Sequence, residues 1–303
     1  MRSTSEISKI SGKLSAKLSD YASLMKFRLS TLVVLTCLAG AAVAPGKLSL
    51  FQWFILVFGT YAIVGAANAL NCYLERDVDL LMERTSQRPL PQRRISNVGA
   101  LIFSIILLAA SFYALFVYLN PKTAVLGLIG HLSYVAVYTP LKRRSMSALF
   151  SGAIPGAIPP LMGWMASQGS LGLGAWILFS ILFFWQLPHF IAISLFRLKE
   201  YNAAGLKTLP GTLGSDVARS QMLIYSGVLG IVTLLPYAAG LAGNFYLIFS
   251  GLAVVLFLFI AALGSWEKNG MKWVKITFFG TLAYLPLVLG VWILDQRFFN
   301  YVP

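Results

Sequence analysis

The sequence predicts an all-α, polytopic membrane protein with nine transmembrane helices in a bundle and its N-terminus in the cytoplasm. Three observations carry this expectation. Of the 303 residues, 58% are hydrophobic and only 11% charged, against about 25% charged in an ordinary soluble domain. A mean hydropathy of +0.76 leaves too little polar surface to cover a soluble globule of this size. The apolar residues also fall in runs of about 20, the length that crosses about 30 Å of hydrocarbon as a helix. A water-soluble enzyme, a disordered chain and a disulfide scaffold are excluded. Cys37 and Cys72 fall inside or at the end of apolar runs and are expected as reduced thiols.

Residues 1–26 place Ile7, Ile10, Leu14 and Leu18 at helical spacing among Lys9, Lys13, Lys17 and many serines, the pattern of an interfacial amphipathic helix. A basic, Ser-rich start is also found in mitochondrial transit peptides, but Glu6 and Asp20 weigh against that. No apolar run precedes residue 27, so no cleavable signal peptide is expected. The membrane domain then occupies 27–303, with apolar stretches at roughly 27–45, 51–74, 97–118, 121–140, 146–166, 172–197, 218–240, 243–264 and 273–294. The fifth contains Gly152 and Gly156 at helix-packing spacing and Pro155, Pro159 and Pro160, which predicts close backbone approach or a broken helix.

Basic residues set the orientation. With the N-terminus inside, 21 of the 24 Lys and Arg lie in inner segments, and the outer segments hold only Lys47, Lys122 and Arg297. The net charge of +14 therefore follows from topology, and no nucleic-acid partner is expected. A bacterial cell (inner) membrane is the expected location, with the mitochondrial inner membrane as the other setting.

Nine of the ten acidic residues also fall on the inner side, Asp295 being the exception. They concentrate after the second stretch, in Asn71-Cys-Tyr-Leu-Glu75-Arg-Asp77-Val-Asp79, followed by Glu83-Arg84-Thr85 and Arg88-Pro89-Leu90-Pro91. At 100° per residue, Asn71, Glu75 and Asp79 share one helix face over about 12 Å, and Asp77 points off it. Three oxygen-bearing side chains in a row suit a hard cation such as Mg2+, which prefers carboxylates plus substrate phosphates. Arg84 and Arg88 follow them, and the loop after the fourth stretch opens with Tyr138-Thr-Pro-Leu-Lys142-Arg143-Arg144. Arginine forks and a lysine point charge beside a metal outline a diphosphate site. Taken singly, each motif is equally a solvated cap or a consequence of the positive-inside rule.

The sixth stretch ends in Trp185-Gln-Leu-Pro188-His189 and runs on through Arg197-Leu-Lys199-Glu200-Tyr201 to Lys207-Thr208-Leu-Pro210. Eleven residues, about three turns, place His189 and Glu200 on one face of a continuous helix. His189 lies about two turns inside the membrane from Arg197, beside a kink-forming proline. An ionisable group at such depth is a functional candidate by default. His131 has no such company and reads as structural. The stretch from Asn71 to Pro91 echoes that from His189 to Pro210, which suits a parallel duplicated bundle with a site between its halves.

These motifs resemble those of the intramembrane UbiA-like prenyltransferases, over essentially the whole chain after about residue 22. The resemblance is closest to the branch that modifies heme, because Pro188-His189 and Arg197-Leu-Lys199-Glu200-Tyr201 replace the aspartate-rich second motif of quinone-precursor enzymes. Lys26-Phe27-Arg28 stands where the family often has Lys-Pro-Arg, and Lys199-Glu200 holds one acid where some relatives have two. The resemblance implies farnesyl transfer from farnesyl diphosphate to a vinyl group of heme b, with Mg2+ on Asn71, Glu75 and Asp79. It implies catalytic roles for Arg84, Arg88 and Lys142, and substrate contacts for Arg28, Tyr138, Arg143, His189, Arg197, Glu200 and Tyr201. His189 would position heme by iron ligation or by hydrogen bonding. A downstream heme-modifying oxygenase or terminal oxidase assembly is a conceivable partner. Two competing readings remain, a sister enzyme acting on an aromatic or quinone precursor and a transporter; against the latter, the charge crowds at one interface rather than at the midplane.

Overall fold

The computed structural model describes residues 4–266 and 271–298, and the side chains of residues 4–11, 13, 14 and 266 lie outside that description. The regular secondary structure of the described residues is all helical, with no strand. The long helices are α1 (Thr4–Leu24), α2 (Phe27–Val43), α3 (Leu50–Asp79), α5 (Asn97–Tyr118) and α6 (Pro121–Leu132), with α4 (Glu83–Ser86) in the loop after α3. A π-helical turn, Ser133–Tyr138, and the short α7 (Thr139–Leu141) continue α6. Then come α8 (Ala148–Gln168), α9 (Leu173–Phe196), the short α10 (Leu198–Ala203) and α11 (Leu209–Leu213), α12 (Ser215–Ala238), α13 (Asn244–Trp266) and α14 (Met271–Phe298).

Local chemistry sets many of these ends. Ser49 and Gln52 form a reciprocal capping box at the start of α3. Ser96 caps α5, and Asn120 caps α6 with Pro121 in the first turn, where a missing N–H costs nothing. Gly169, at φ 76°, closes α8 in the left-handed conformation glycine adopts without strain.

All nine predicted stretches lie on helices. Seven of these are individually long and apolar enough to cross a membrane, and α2 joins them when taken with α1, from which it bends by 51°. The ninth, α8, does not belong to that set, so nine apolar spans are not established. Its prolines and glycines dilute its hydropathy, and most of its length is buried by neighbouring helices instead of facing lipid. The multi-pass membrane architecture stands. Of the predicted amphipathic segment, Ile7, Ile10 and Leu14 lie outside the described side chains, and Leu18 is exposed.

Neighbour relations repeat along the chain. In the first half α2 packs on α3, α3 on α5 and α5 on α6; in the second, α8 packs on α9, α9 on α12 and α12 on α13. The halves meet where α2 crosses α8, and α14 covers α9 and α13. A Cβ on Gly40 would collide with the Pro160 carbonyl, and one on Gly163 with the Cys37 carbonyl, so both glycines are required at this crossing. The expected Gly152/Gly156 pair serves a different purpose. Gly152 lies under the Tyr138 ring and Gly156 under the Gln186 amide, and α8 runs unbroken through its three prolines. Gln186 Nε2 bridges to α8 by donating to the Ala153 carbonyl at 2.9 Å.

Candidate active site

The predicted face of α3 forms as geometry requires. Asn71, Glu75 and Asp79 are 1%, 4% and 1% exposed, and all three line one cavity of about 310 Å³. Asp77, predicted off the face, has 78% of its side chain exposed. Buried carboxylates need neutralising partners, and both have one. Arg88 Nη1 donates to the two Asp79 oxygens at 2.9 and 2.8 Å, and Lys142 forms an ion pair with Glu75. The Thr85 hydroxyl donates to the Asp79 carbonyl at 2.9 Å, holding the loop that carries Arg88 against the end of α3.

Asn71 is oriented by its neighbours. The Thr139 hydroxyl donates its only proton to the Tyr134 carbonyl at 2.9 Å, so it can only accept from Asn71 Nδ2, 3.1 Å away. The amide oxygen then points the other way, where Lys26 Nζ donates to it at 2.8 Å. The π-helical turn makes this possible. Its i+5 pairing sets both the Thr139 amide and the Thr139 hydroxyl on the Tyr134 carbonyl, while Tyr134 and Tyr138, four residues apart, line one wall with ring centroids 5.4 Å apart.

Charge at the site is held firmly. Burial opposes the charge on Lys142, but nearby Tyr138 and Glu75 more than offset it, so the ammonium titrates above the ordinary lysine range. Burial also opposes the charge on Arg88, and Cys72 and Asp79 raise its pKa on balance. The Tyr201 phenol, on the opposite wall of the cavity, is pushed up by burial. Arg84 and Lys207 line the cavity from exposed positions. The Lys207 amide donates to the Lys142 carbonyl at 2.9 Å, joining the loops of the two halves across the site.

Leu29, Tyr134, Tyr138 and Phe190 line both this polar cavity and a second, mainly apolar one of about 270 Å³. The second runs between α2, α3, α6, α8 and α9, past Val33, Ile63, Ile158 and Met162. His131 lies buried in its wall with Nδ1 lacking a hydrogen-bond partner.

Several predicted residues lie elsewhere. Arg28 is exposed and lines neither cavity, because the left-handed backbone at Lys26 turns Lys26, not Arg28, toward Asn71. Arg143 is exposed over a separate hollow on the other side of Glu75 and Thr139. The shared face of His189 and Glu200 does not exist, since α9 ends at Phe196 and Arg197 breaks the helix at φ −105°, ψ 14°. Arg197 pairs with Glu200 at 3.4 Å in an adjoining hollow that also includes Arg84.

His189 faces α14, with its ring between Trp185 and Phe278 at centroid distances of 5.0 and 4.8 Å. The Thr281 hydroxyl donates to the Phe278 carbonyl at 2.5 Å and lies 2.7 Å from His189 Nδ1. With that proton spent, Nδ1 must be the donor, which leaves Nε2 with the lone pair. The neighbouring residue, Phe190, reaches both cavities. Lys26, Tyr134, Thr139 and Thr281 carried no spacing signal of their own, because each acquires its role from a partner at least 45 residues away or from the π-helical turn.

The donor set of Asn71, Glu75 and Asp79, all oxygen and all buried on one wall, fits a hard divalent cation. Among the described residues, no three His, Cys, Asp or Glu side chains group as a ready-made metal cage.

Comparison with known proteins places the arrangement. Residues 33–283 match the UbiA prenyltransferase family. The chain is 45% identical over 278 residues to a protoheme IX farnesyltransferase of Myxococcus xanthus, covering 92% of this chain and 95% of that one. It is 46% identical over 253 residues to a protein of the same name from Sorangium cellulosum, covering 82% and 88%. The fold matches a UbiA homolog from Archaeoglobus fulgidus bound to GPP and Mg2+, with TM-score 0.68 at 16% identity, covering 90% and 98%. The chain belongs to the UbiA prenyltransferase family.

Proposed function

We propose that this protein transfers the farnesyl group of farnesyl diphosphate to a vinyl group of heme b, releasing diphosphate and giving heme O. The observation that carries the reading is the meeting of two cavities at Tyr134 and Tyr138, one cationic and oxygen-lined, the other apolar. An amphiphile with a diphosphate head and an isoprenoid tail matches that pair. The names of the relatives at 45% and 46% identity supply the acceptor.

Asn71, Glu75 and Asp79 are the residues that would hold Mg2+, which when bound adds positive charge beside the departing diphosphate. Lys142, Arg88 and Arg84 stabilise the rest of the charge that develops as the bond from C1 to oxygen breaks. The Tyr134 and Tyr138 rings at the neck offer aromatic faces to the allylic cation. The vinyl carbon attacks C1 of that cation, and water captures the resulting carbocation beside the porphyrin and loses a proton. Exclusion of bulk water by the buried walls keeps the allylic cation from being hydrolysed first. His189 lines neither cavity and packs against α14, so its Nε2 would meet a heme on that side of α9, by iron ligation or by hydrogen bonding, while Arg197 beside the cationic rim suits a propionate.

In this reading the site opens at the cytoplasmic face of a bacterial inner membrane, with α1 lying along the interface. Membranes containing the protein, incubated with heme b, 4-hydroxybenzoate, farnesyl diphosphate and Mg2+, yield a farnesylated, hydrated heme by mass spectrometry. An unmodified heme alongside a prenylated aromatic acid in the same assay would assign the acceptor to the sister class.

A further inference from the structure

The three oxygen-bearing side chains of α3 are matched one to one by cationic side chains: Asp79 by Arg88, Glu75 by Lys142 and Asn71 by Lys26. The third pairing differs in kind. Two buried carboxylates require a cation, whereas a neutral amide does not. Lys26 reaches the amide because the carboxylates beside it are already taken. Its bond has charge on one partner only, so Lys26 is the most easily released of the three.

The backbone beneath Lys26 is fixed. The residue is left-handed at φ 50°, ψ 55°, in the break between α1 and α2. The Met25 carbonyl accepts from Ser30 Oγ at 2.7 Å and from Asn68 Nδ2 at 3.3 Å, and the Met25 side chain packs into the space left by Gly65. The flexible part is the four-carbon stem that carries Nζ.

Resting on the reading of this cavity as a Mg2+ and diphosphate site, we propose that Lys26 is an exchange cation. It holds the Asn71 oxygen until a divalent cation takes that oxygen, and it then moves its ammonium to the diphosphate. Lys26 is thus a positioning and binding residue that makes the two ligands enter together. Either ligand alone faces a cost: the cation must evict Lys26 with nothing for it to bind, and the anion must draw Lys26 away and leave Asn71 unpartnered. Together each removes the other's cost, and such coupling is reciprocal.

The test is calorimetric titration of the full chain in detergent with Mg2+ alone, inorganic pyrophosphate alone, and each in the presence of the other. In the unaltered protein each ligand tightens the other by at least about tenfold. Lys26→Met keeps the side-chain length and removes the charge. It is expected to bind Mg2+ alone at least about threefold more tightly, bind pyrophosphate at least about tenfold more weakly, and keep only the part of the coupling that comes from Mg2+ contacting the pyrophosphate oxygens directly. A misfolded or loosened site weakens both ligands, so the opposite signs are the signature. Lys26→Arg, which keeps the charge, retains pyrophosphate affinity within about threefold. If Lys26→Met shifts both affinities in the same direction, or neither, Lys26 is no exchange cation. If the unaltered protein binds neither ligand, the reading beneath it fails as well.

Discussion

Asn71 Nδ2 donates to the Thr139 hydroxyl at 3.1 Å, and that bond, joining α3 to the turn after the π-helix, determines which way the Asn71 oxygen faces. Thr139→Val removes the acceptor for Asn71 and the donor to the Tyr134 carbonyl. Each buried group left unsatisfied costs about 1–3 kcal/mol. Mg2+-dependent pyrophosphate affinity is expected to fall about tenfold, and Thr139→Ser is expected to restore it. Unchanged affinity in the valine variant would show that the amide needs no help to orient.

Asp79→Asn leaves Arg88 without its two-oxygen partner in a buried setting, a loss of about 3–5 kcal/mol in stability and of turnover. Asp77→Ala, at an exposed position 3.9 Å from Arg76, is expected to leave both unchanged. Thermal melts and product assays on the pair check whether helix-face geometry separates two acids two residues apart.

Thr281→Val removes the group that fixes the His189 tautomer. Heme bound to this variant is expected to show a shifted and broadened Soret band, with diphosphate affinity unaltered, and Thr281→Ser recovers the original spectrum. Imidazoles whose second nitrogen is hydrogen-bonded ligate metals in a fixed orientation. A Soret band insensitive to both Thr281→Val and His189→Ala would remove His189 from the heme site.

The ratio of pyrophosphate affinity in the unaltered protein to that in Lys142→Met, and likewise in Arg88→Met, is expected to stay flat from about pH 8 to about pH 10, because ionisation of the ligand and of every other group cancels in it. Lys142 and Arg88 both titrate above their ordinary values in the folded protein. The charge each contributes is fully present below the unfolded value and is lost only as pH rises through the higher folded one. Titration calorimetry across that range checks it, and a ratio that falls toward one by about pH 9 would show that the cation in question loses its charge below its ordinary range.

Gly163→Ala drives a Cβ into the Cys37 carbonyl, a backbone atom that cannot rotate aside. Overpacking of this kind costs about 1–3 kcal/mol or more, so the variant is expected to melt earlier. Gly290→Ala, on α14 with open space around it, does not. Comparing the two melting temperatures tests whether the α2–α8 crossing limits stability.

How much of the site was legible depended on whether a relation was local. Asn71, Glu75 and Asp79 share a face because α3 runs unbroken past all three. The same arithmetic failed for His189 and Glu200, because Arg197 leaves the helical region between them. Gly152 and Gly156 have the spacing of a helix-packing pair, yet the crossing uses Gly40 and Gly163. Spacing records which side of a helix a residue occupies, not what arrives there.

The amino-acid order by itself determined that this chain lives in a bilayer, where its helices run, and which edge of α3 gathers oxygen ligands. Hydropathy and the 100° step per residue act over neighbouring positions and need no knowledge of the rest of the fold. Only the assembled bundle decided that Lys26 meets Asn71, that Thr139 aims the amide, that Thr281 leaves His189 Nε2 bare, and that Arg28 and Arg143 stay outside. Those outcomes depend on a left-handed residue, a π-helical turn and crossings of glycine against backbone carbonyls. Each joins positions far apart in the chain, where local periodicity carries no information.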